Sequence, residues 1–279
     1  IGLIASLLFL NNKKLIKIVL ILILVNFLLF FIKIDINISP YKELNQALNV
    51  PNSKLIATKW NSFSRVDIVN SSFTRYAPGL SLSFRSNLPE QIGILVDGSN
   101  MNSITKYDNL DFVDFLPMSL PYYIKKEPKV LVINAGAGLD VLIGFKNNAT
   151  ITALETNPII INLLKNKYKN FSGDIYAKAD IYFGEGRSFV KRDEKYDIIV
   201  LSLAGNVLGG PSGITSLNEN YLLNVDAFKD YYNALTNDGF LVVTRWLFNP
   251  PKEELRLFSL ALEIDKEGEK IVILNSWNT

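Results

Sequence analysis

Three short stretches in the second half of the chain carry residue types that could handle a nucleotide. The first is the turn Asn134-Ala135-Gly136-Ala137-Gly138-Leu139-Asp140, set between an apolar run and an apolar helix pattern. Glycines let the backbone pass close to a ligand, and the helix N-terminus that follows presents free N–H groups. In many α/β proteins glycines in this turn serve packing alone. The second is Glu155, 19 residues after Gly136 and closing the next apolar run. A carboxylate there can accept both hydroxyls of a ribose; the plain alternative is an exposed acid at a helix entry. The third is Gly184-Glu185-Gly186-Arg187. Its flanked acid can accept from an adenine amino group, or can equally sit at a helix start for the dipole. Asn134, Gly136, Gly138, Glu155 and Glu185 are thus the candidate binding residues for an adenosine moiety.

These residues need a scaffold that brings consecutive strand ends together. From Lys129 onward the rhythm is strand, turn, helix. The run Val130-Leu131-Val132-Ile133 is continuously apolar, as when both faces of a parallel sheet are covered. Further strands are expected at 150–155, 181–183, 197–203 and 240–246, with one more at 271–277, and Asn157-Pro158 opens a helix. Strands alternating with helices imply a doubly wound, mostly parallel sheet, and all three motifs then fall at strand carboxyl ends, where such sheets bind ligands. Ahead of this, residues 54–105 alternate with period two around 64–69, 80–84 and 92–96, bounded by Pro-Gly, Asn and Asp-Gly. That pattern implies a small antiparallel β unit.

Composition narrows the chemistry. Among 279 residues there is no cysteine and no histidine, which removes disulfides, thiolate nucleophiles, Ser-His-Asp triads and most transition-metal sites. Proton transfer must fall to Asp, Glu, Lys, Tyr or water, and no metal is expected. Residues 1–50 hold five lysines against Asp35 and Glu43, a net +3, so the rest of a chain with net charge +2 sums to −1. A near-neutral folded part has no electrostatic footprint for nucleic acid.

The N-terminal region reads as membrane-associated. Residues 15–34 are apolar apart from Lys17, Asn26 and Lys33, long enough for a helix to cross a hydrocarbon layer of about 30 Å. They lack a signal-peptide cleavage site. Residues 1–10 read as the cut end of an earlier membrane helix. The expected organisation is transmembrane helices at 1–34, a linker at 35–53, the β unit at 54–105 and a Rossmann-like nucleotide-binding domain at 106–279. The lysines around the Asn11-Asn12-Lys13-Lys14 loop pull that loop toward the cytoplasm, whereas a cytosolic nucleotide argues for a cytoplasmic domain. The expected location is therefore the bacterial inner membrane with the domain on the cytoplasmic side.

From Ser64 to Thr244 the chain resembles the spermidine synthase (polyamine aminopropyltransferase) family. The resemblance rests on Leu95-Val96-Asp97-Gly98, the turn at 130–138, Glu155, Gly184-Glu185-Gly186-Arg187, Tyr196-Asp197-Ile198-Ile199-Val200 and Asp238-Gly239-Phe240. Ile38-Ser39-Pro40-Tyr41-Lys42, Ser119-Leu120-Pro121-Tyr122 and Thr244-Arg245-Trp246 are similar to multi-pass bacterial membrane proteins carrying such a domain. The resemblance implies a β unit plus a class I methyltransferase-like Rossmann domain, association of copies through the β unit, and S-adenosylmethionine or its decarboxylated form as ligand, with Glu155 on the ribose and Glu185 near the adenine. It fails where the family's chemistry lies. The family's amine-holding Asp in the glycine motif is matched by Ala137, and its Tyr-His-Glu stretch by Asp114-Phe115-Leu116. Its two catalytic acids are matched by Ser202 and Gly205.

Three functions follow: aminopropyl transfer to an amine contacted by Asp111, Asp114 or Glu219; methyl transfer to another acceptor; or a non-catalytic nucleotide-binding domain that regulates or scaffolds a membrane protein. Retained nucleotide features beside lost amine-handling acids favour the second and third.

Overall fold

The computed structural model describes residues 2, 5, 9–10, 12–29, 31, 38–202, 221–247, 249–276 and 279. The chain divides into two compact units, Ile1–Ser39 and Pro40–Thr279.

In the first unit, helix α1 spans Lys13–Leu29, 17 residues, with no buried side chain. At 1.5 Å per residue it is about 25 Å long, short of the roughly 30 Å that a crossing requires. Lys13, Lys14 and Lys17 fall in its first two turns, and Asn26 Nδ2 donates back to the Leu22 carbonyl. Among the described residues no helix is long and apolar enough to cross a membrane. The expected transmembrane segment at 15–34 is corrected accordingly. The expected inner-membrane location with a cytoplasmic domain, and the membrane as partner, lose their basis with it. Apolar content does not set span length: the described helix ends at Leu29, short of the end of the apolar run.

The second unit opens with a short helix, α2 (Glu43–Leu48), and a four-stranded antiparallel sheet. Its strands are β1 (Lys54–Trp60), β2 (Arg65–Asn70), β3 (Gln91–Val96) and β4 (Ser99–Thr105), lying side by side in chain order. Asp97 and Gly98 both take positive φ, 53° and 73°, in the two-residue turn between β3 and β4. That is the turn whose twist matches antiparallel strands. The strand expected at 80–84 is absent. Ser81 Oγ accepts from the Ser83 amide, and the Ser81 amide goes to the Phe115 carbonyl, so local turns replace ladder bonds there.

The chain then passes through α3 (Leu120–Ile124) into a five-stranded sheet. In chain order its elements are β5 (Lys129–Ile133), α4 (Leu139–Lys146), β6 (Thr150–Glu155), α5 (Pro158–Asn162), α6 (Ile175–Lys178), β7 (Asp180–Phe183), α7 (Gly186–Val190), β8 (Tyr196–Ser202), α8 (Val225–Ala234), β9 (Leu235–Thr244) and α9 (Glu253–Leu262). Strand order is β7-β6-β5-β8-β9, and every pairing is parallel. This is a Rossmann-like, all-parallel α/β sheet. β9 begins earlier than expected: Tyr196 pairs with Leu235 and Ile198 with Phe240, so residues 236–239 bulge between the two pairs. The strand expected over 271–277 does not form over its described part, 271–276, where Val272 and Ile273 are 77% and 70% exposed with no neighbouring strand.

Period-two geometry explains why β5 reads as all apolar. Val130 and Val132 enter one core cluster with Val66, Ile68, Ile94 and Ile104 of the antiparallel sheet, while Leu131 and Ile133 enter the other with Phe228 and Tyr231 of α8. Ile198 and Val200 against Ile199 and Leu201 of β8 divide the same way. The chain steps outward from β5 to β6 and β7, then crosses back to β8. That reversal opens a crevice at the carboxyl ends of β5 and β8.

Candidate functional site

Asn134, Gly136, Gly138, Glu155 and Glu185 sit at or just beyond the carboxyl ends of β5, β6 and β7. Beyond β5, Asn134 and Gly136 adopt left-handed conformations (φ 57° and 55°), and Gly138 has φ 93°. Asparagine tolerates this region and glycine is free in it. A Cβ on Gly136 would lie 2.3 Å from Asn102 Nδ2, and one on Gly138 2.6 Å from Ile175 Cδ1. The turn is therefore pressed between β4 and α6. Gly138 caps α4 without a side-chain bond.

Glu155 is the keystone of the turn. It is 4% exposed; Oε2 accepts from the Gly136 amide at 2.8 Å and Oε1 from the Asn157 amide at 2.7 Å. With the Thr156 amide also acting on it, three backbone amides meet a carboxylate of about four lone-pair sites, and one site is left for a further donor. Burial pushes this carboxyl above its usual range, and the amides of Asn157, Gly136 and Thr156 pull the other way. The Tyr176 hydroxyl donates to the Gly136 carbonyl, so both polar groups of Gly136 are held. Asn157 caps α5 by accepting from the Ile159 amide, accepts from Asn61 Nδ2 at 3.0 Å and donates to Ser64 Oγ at 3.0 Å. The β1–β2 loop is thereby tied to the residue that fixes Glu155.

Glu185 lies beside this group. β6 and β7 pair Glu155 with Phe183, and the Gly184 amide donates to the Glu155 carbonyl at 3.3 Å. Glu185 is exposed and makes no capping bond to α7. A Cβ on Gly186 would stand 2.4 Å from Ile133 Cγ2, so this glycine packs α7 onto the end of β5. An open cleft of about 270 Å³ is lined by Glu185, Arg187, Ser188, Lys191 and Tyr221; it takes in neither Glu155 nor Asp140.

At the switch point the structure assembles residues that spacing alone does not connect. Ser202, ending β8, donates its hydroxyl to Asp140 Oδ1 in the first turn of α4 at 2.9 Å. Asp140 is buried, which pushes its carboxyl up to about 6, with the Ser202 bond opposing the shift. The Tyr76 and Tyr122 hydroxyls are buried close enough that Asp140 adds to the rise caused by burial, and Glu43 adds further at Tyr76. At Tyr176 burial comes first, then Glu155 and Asp140. Gln91 clamps Tyr76 through both of its backbone polar groups, and Trp246 meets the Tyr76 ring edge-on at 6.5 Å. An acid inside the apolar run Leu139-Asp140-Val141-Leu142-Ile143 was the one sequence signal for this cluster.

The other sequence candidates separate from this edge. Asp114 pairs with Lys146 at 2.7 Å, at the opposite end of α4 from the glycine turn, and Asp111 is exposed in the same 3-10 helix as Asp114. Gly205 and Glu219 lie outside the described residues. Among the described residues no cluster of three or more His, Cys, Asp or Glu could hold a metal ion.

The parallel order, the glycine turn and the acids at consecutive strand ends define a doubly wound, Rossmann-like α/β domain. No family model matches the chain. Over 137 residues, 47% of this chain and 44% of the relative, it is 30% identical to the polyamine aminopropyltransferase of Clostridioides difficile (strain 630). Among solved structures it is similar to spermidine synthase from Thermotoga maritima, with 19% identity and a TM-score of 0.49 over 77% of this chain and 64% of that one. A spermidine synthase in complex with the transition state analogue AdoDATO gives 18% identity and a TM-score of 0.48, over 77% and 63%. The glycopeptide N-methyltransferase MtfA complexed with (S)-adenosyl-L-homocysteine gives 15% and 0.35, over 47% and 53%. The chain spans under half of the curated relative and under two thirds of each of these structures.

Proposed function

We propose that residues 40–279 bind an S-adenosylmethionine-type nucleotide and serve a transferase of an aminopropyl or methyl group in which the polyamine site is degenerate. The observation that carries this reading is Glu155, a buried carboxylate that locks the glycine turn through Gly136 and keeps acceptor capacity for a ribose hydroxyl. Glu185, uncapped on the adjoining strand end, supplies an acceptor for the adenine amino group. The relatives with printed spermidine synthase and methyltransferase activities support the ligand class. In either transfer the acceptor's lone pair attacks the carbon bonded to the sulfonium. The carbon–sulfur bond breaks with its electrons going to sulfur, and the acceptor loses a proton to a base.

A second reading, a non-catalytic nucleotide-binding domain with a regulatory role, is favoured by Ser202 and Gly205 standing where the resemblance implies acids. The test is thermal unfolding of the full chain with S-adenosylmethionine, its decarboxylated form or methylthioadenosine. A ligand at a hundred times its Kd adds about 2.7 kcal/mol, roughly 5–11 °C for a domain of this size. Glu155→Ala and Glu185→Ala should each shrink the rise. No rise with any of the three at millimolar concentration rejects the nucleotide reading. Binding with no transfer to any amine or hydroxyl acceptor selects the second.

A further inference from the structure

Arg245 follows the last residue of β9 and reaches toward α9, while its neighbour Trp246 meets Tyr76 on the other side of the sheet. The guanidinium is taken out of water. Arg245 is 9% exposed, and among the described residues its Nε and Nη2 make no hydrogen bond. A buried charged group whose donors lack acceptors is strongly disfavoured. Nε and Nη2 share one edge of the guanidinium plane. That edge is a fork able to give two parallel hydrogen bonds to the two oxygens of a carboxylate.

The acid beside it does not fill the fork. Glu253, the first residue of α9, holds Oε1 at 3.6 Å from Arg245 Nε, beyond the roughly 2.7–3.2 Å of an N–H···O bond. The same oxygen lies 3.9 Å from Arg256 Nη2, and Arg256 Nη1 donates to the Leu223 carbonyl at 3.3 Å. Burial holds Arg245 below its usual range, Glu253 opposes this and Arg256 adds to it. Two arginines against one glutamate leave one positive charge uncompensated. The N-terminus of α9, where Lys252 gives no side-chain cap bond, adds to the positive potential. Thr244 pairs with Ser202, so Arg245 stands at the carboxyl edge of the sheet, where open α/β sheets bind ligands.

We infer that Arg245, backed by Arg256 and the N-terminus of α9, forms a binding site for the carboxylate of a small molecule at the carboxyl end of β9. A carboxylate brings the two oxygens the fork needs and cancels the one uncompensated charge. A phosphate dianion would exceed that charge. Leu257 and Leu260 of α9 pack with Leu131 and Ile133, and Val141 and Leu142 of α4 pack with Val130 and Val132. The site therefore lies across the sheet from the helix that follows the glycine turn, and it stands independently of the nucleotide reading.

The experiment is thermal unfolding of the full chain at pH 7.5, with sodium acetate replacing sodium chloride at constant ionic strength and sodium phosphate as the comparison. The wild type should show a saturable rise in melting temperature with acetate and a weaker response to phosphate. Arg245→Lys keeps the charge without the fork, and loss of a charge-assisted bond should weaken acetate about tenfold. Glu253→Gln removes the competing negative charge and should tighten acetate about tenfold. No saturable rise in the wild type, unchanged affinity in Arg245→Lys or Glu253→Gln, or tighter phosphate than acetate overturns the site. Glu219 is the one charged residue in 203–220. Acetate binding that appears in Glu219→Gln and not in the wild type shows that the chain's own acid takes the fork, which overturns the proposal as well.

Discussion

The Glu155 carboxylate and the Gly136 amide, 19 positions apart in the chain, meet at 2.8 Å across the carboxyl ends of β6 and β5. The same carboxylate takes the Asn157 amide on its other oxygen. A ligand entering this edge therefore finds both acceptor oxygens already aimed, and pays little to order them.

Glu155→Ala should cost stability as well as ligand. It leaves the Gly136 and Asn157 amides without their acceptor, at about 1–3 kcal/mol for each buried group. Urea unfolding should show a loss of about 2–6 kcal/mol with an unchanged slope. A loss below about 0.5 kcal/mol, within the range of surface substitutions, would mean that water replaces the carboxylate freely.

Asp140 should make stability fall as pH rises. Its carboxyl is raised from 3.8 to about 6, so the folded state holds the proton more tightly than the unfolded chain. The contribution is fully present below 3.8 and is lost as pH rises through about 6. At 1.36 kcal/mol per pH unit the loss is about 3 kcal/mol. Without ligand, Asp140→Asn should melt about 6–12 °C above wild type at pH 7.5 and much closer to it at pH 4. Parallel melting curves across that range would show that Asp140 is solvated.

Gly138→Ala places a Cβ at φ 93° and 2.6 Å from Ile175 Cδ1. Strain in this region costs about 1–2 kcal/mol and overpacking about 1–3 kcal/mol. A loss of about 2–5 kcal/mol is expected by denaturant unfolding. Full stability in this variant would show that α6 moves aside without cost.

Tyr176→Phe removes the hydroxyl held by the Gly136 carbonyl while keeping the ring. Stability should drop by about 0.5–1.5 kcal/mol, and methylthioadenosine affinity should fall with it because the turn loosens. Unchanged affinity would separate the turn from the ligand.

Spermidine formation from putrescine and decarboxylated S-adenosylmethionine should be poor, since Ser202 and Gly205 occupy the positions of the family's acids. Loss of a positioned base lowers rates about 10²–10⁴-fold. Turnover near an ordinary enzyme rate of about 1 s⁻¹ would contradict this. Gain of activity in Gly205→Asp would identify the missing acid as the cause.

What was legible in the sequence is what local patterns control. β5 and β6 could be read because burial on both faces forces unbroken apolar runs, and Asn157-Pro158 because a cap and a proline mark a helix start. The stretch 80–84 misled because Ser81 and Ser83 mimic alternation while bonding to each other. Residues 15–34 misled because lipid-like composition does not fix how far one helix runs. Asp111 and Asp114 were chosen by charge, and only the fold shows that Lys146 holds Asp114 away from the glycine turn. The Asp140–Ser202 contact joins positions 62 apart, so no local pattern could announce it.

Asn157 and Asn102 have a consequence for how this protein could have been assembled in evolution. One fastens the β1–β2 loop to the helix that follows Glu155, and the other lies against the glycine turn from β4. With Val66, Ile94 and Val132 in one cluster, the antiparallel sheet is a wall of the glycine-turn edge rather than an appended module. Recombination just after β4, within the single compact unit Pro40–Thr279, would strip that edge of its outer support. A graft of residues 106–279 onto another partner should thus be recoverable only if the incoming sheet brings its own equivalents of Asn61, Ser64 and Asn102.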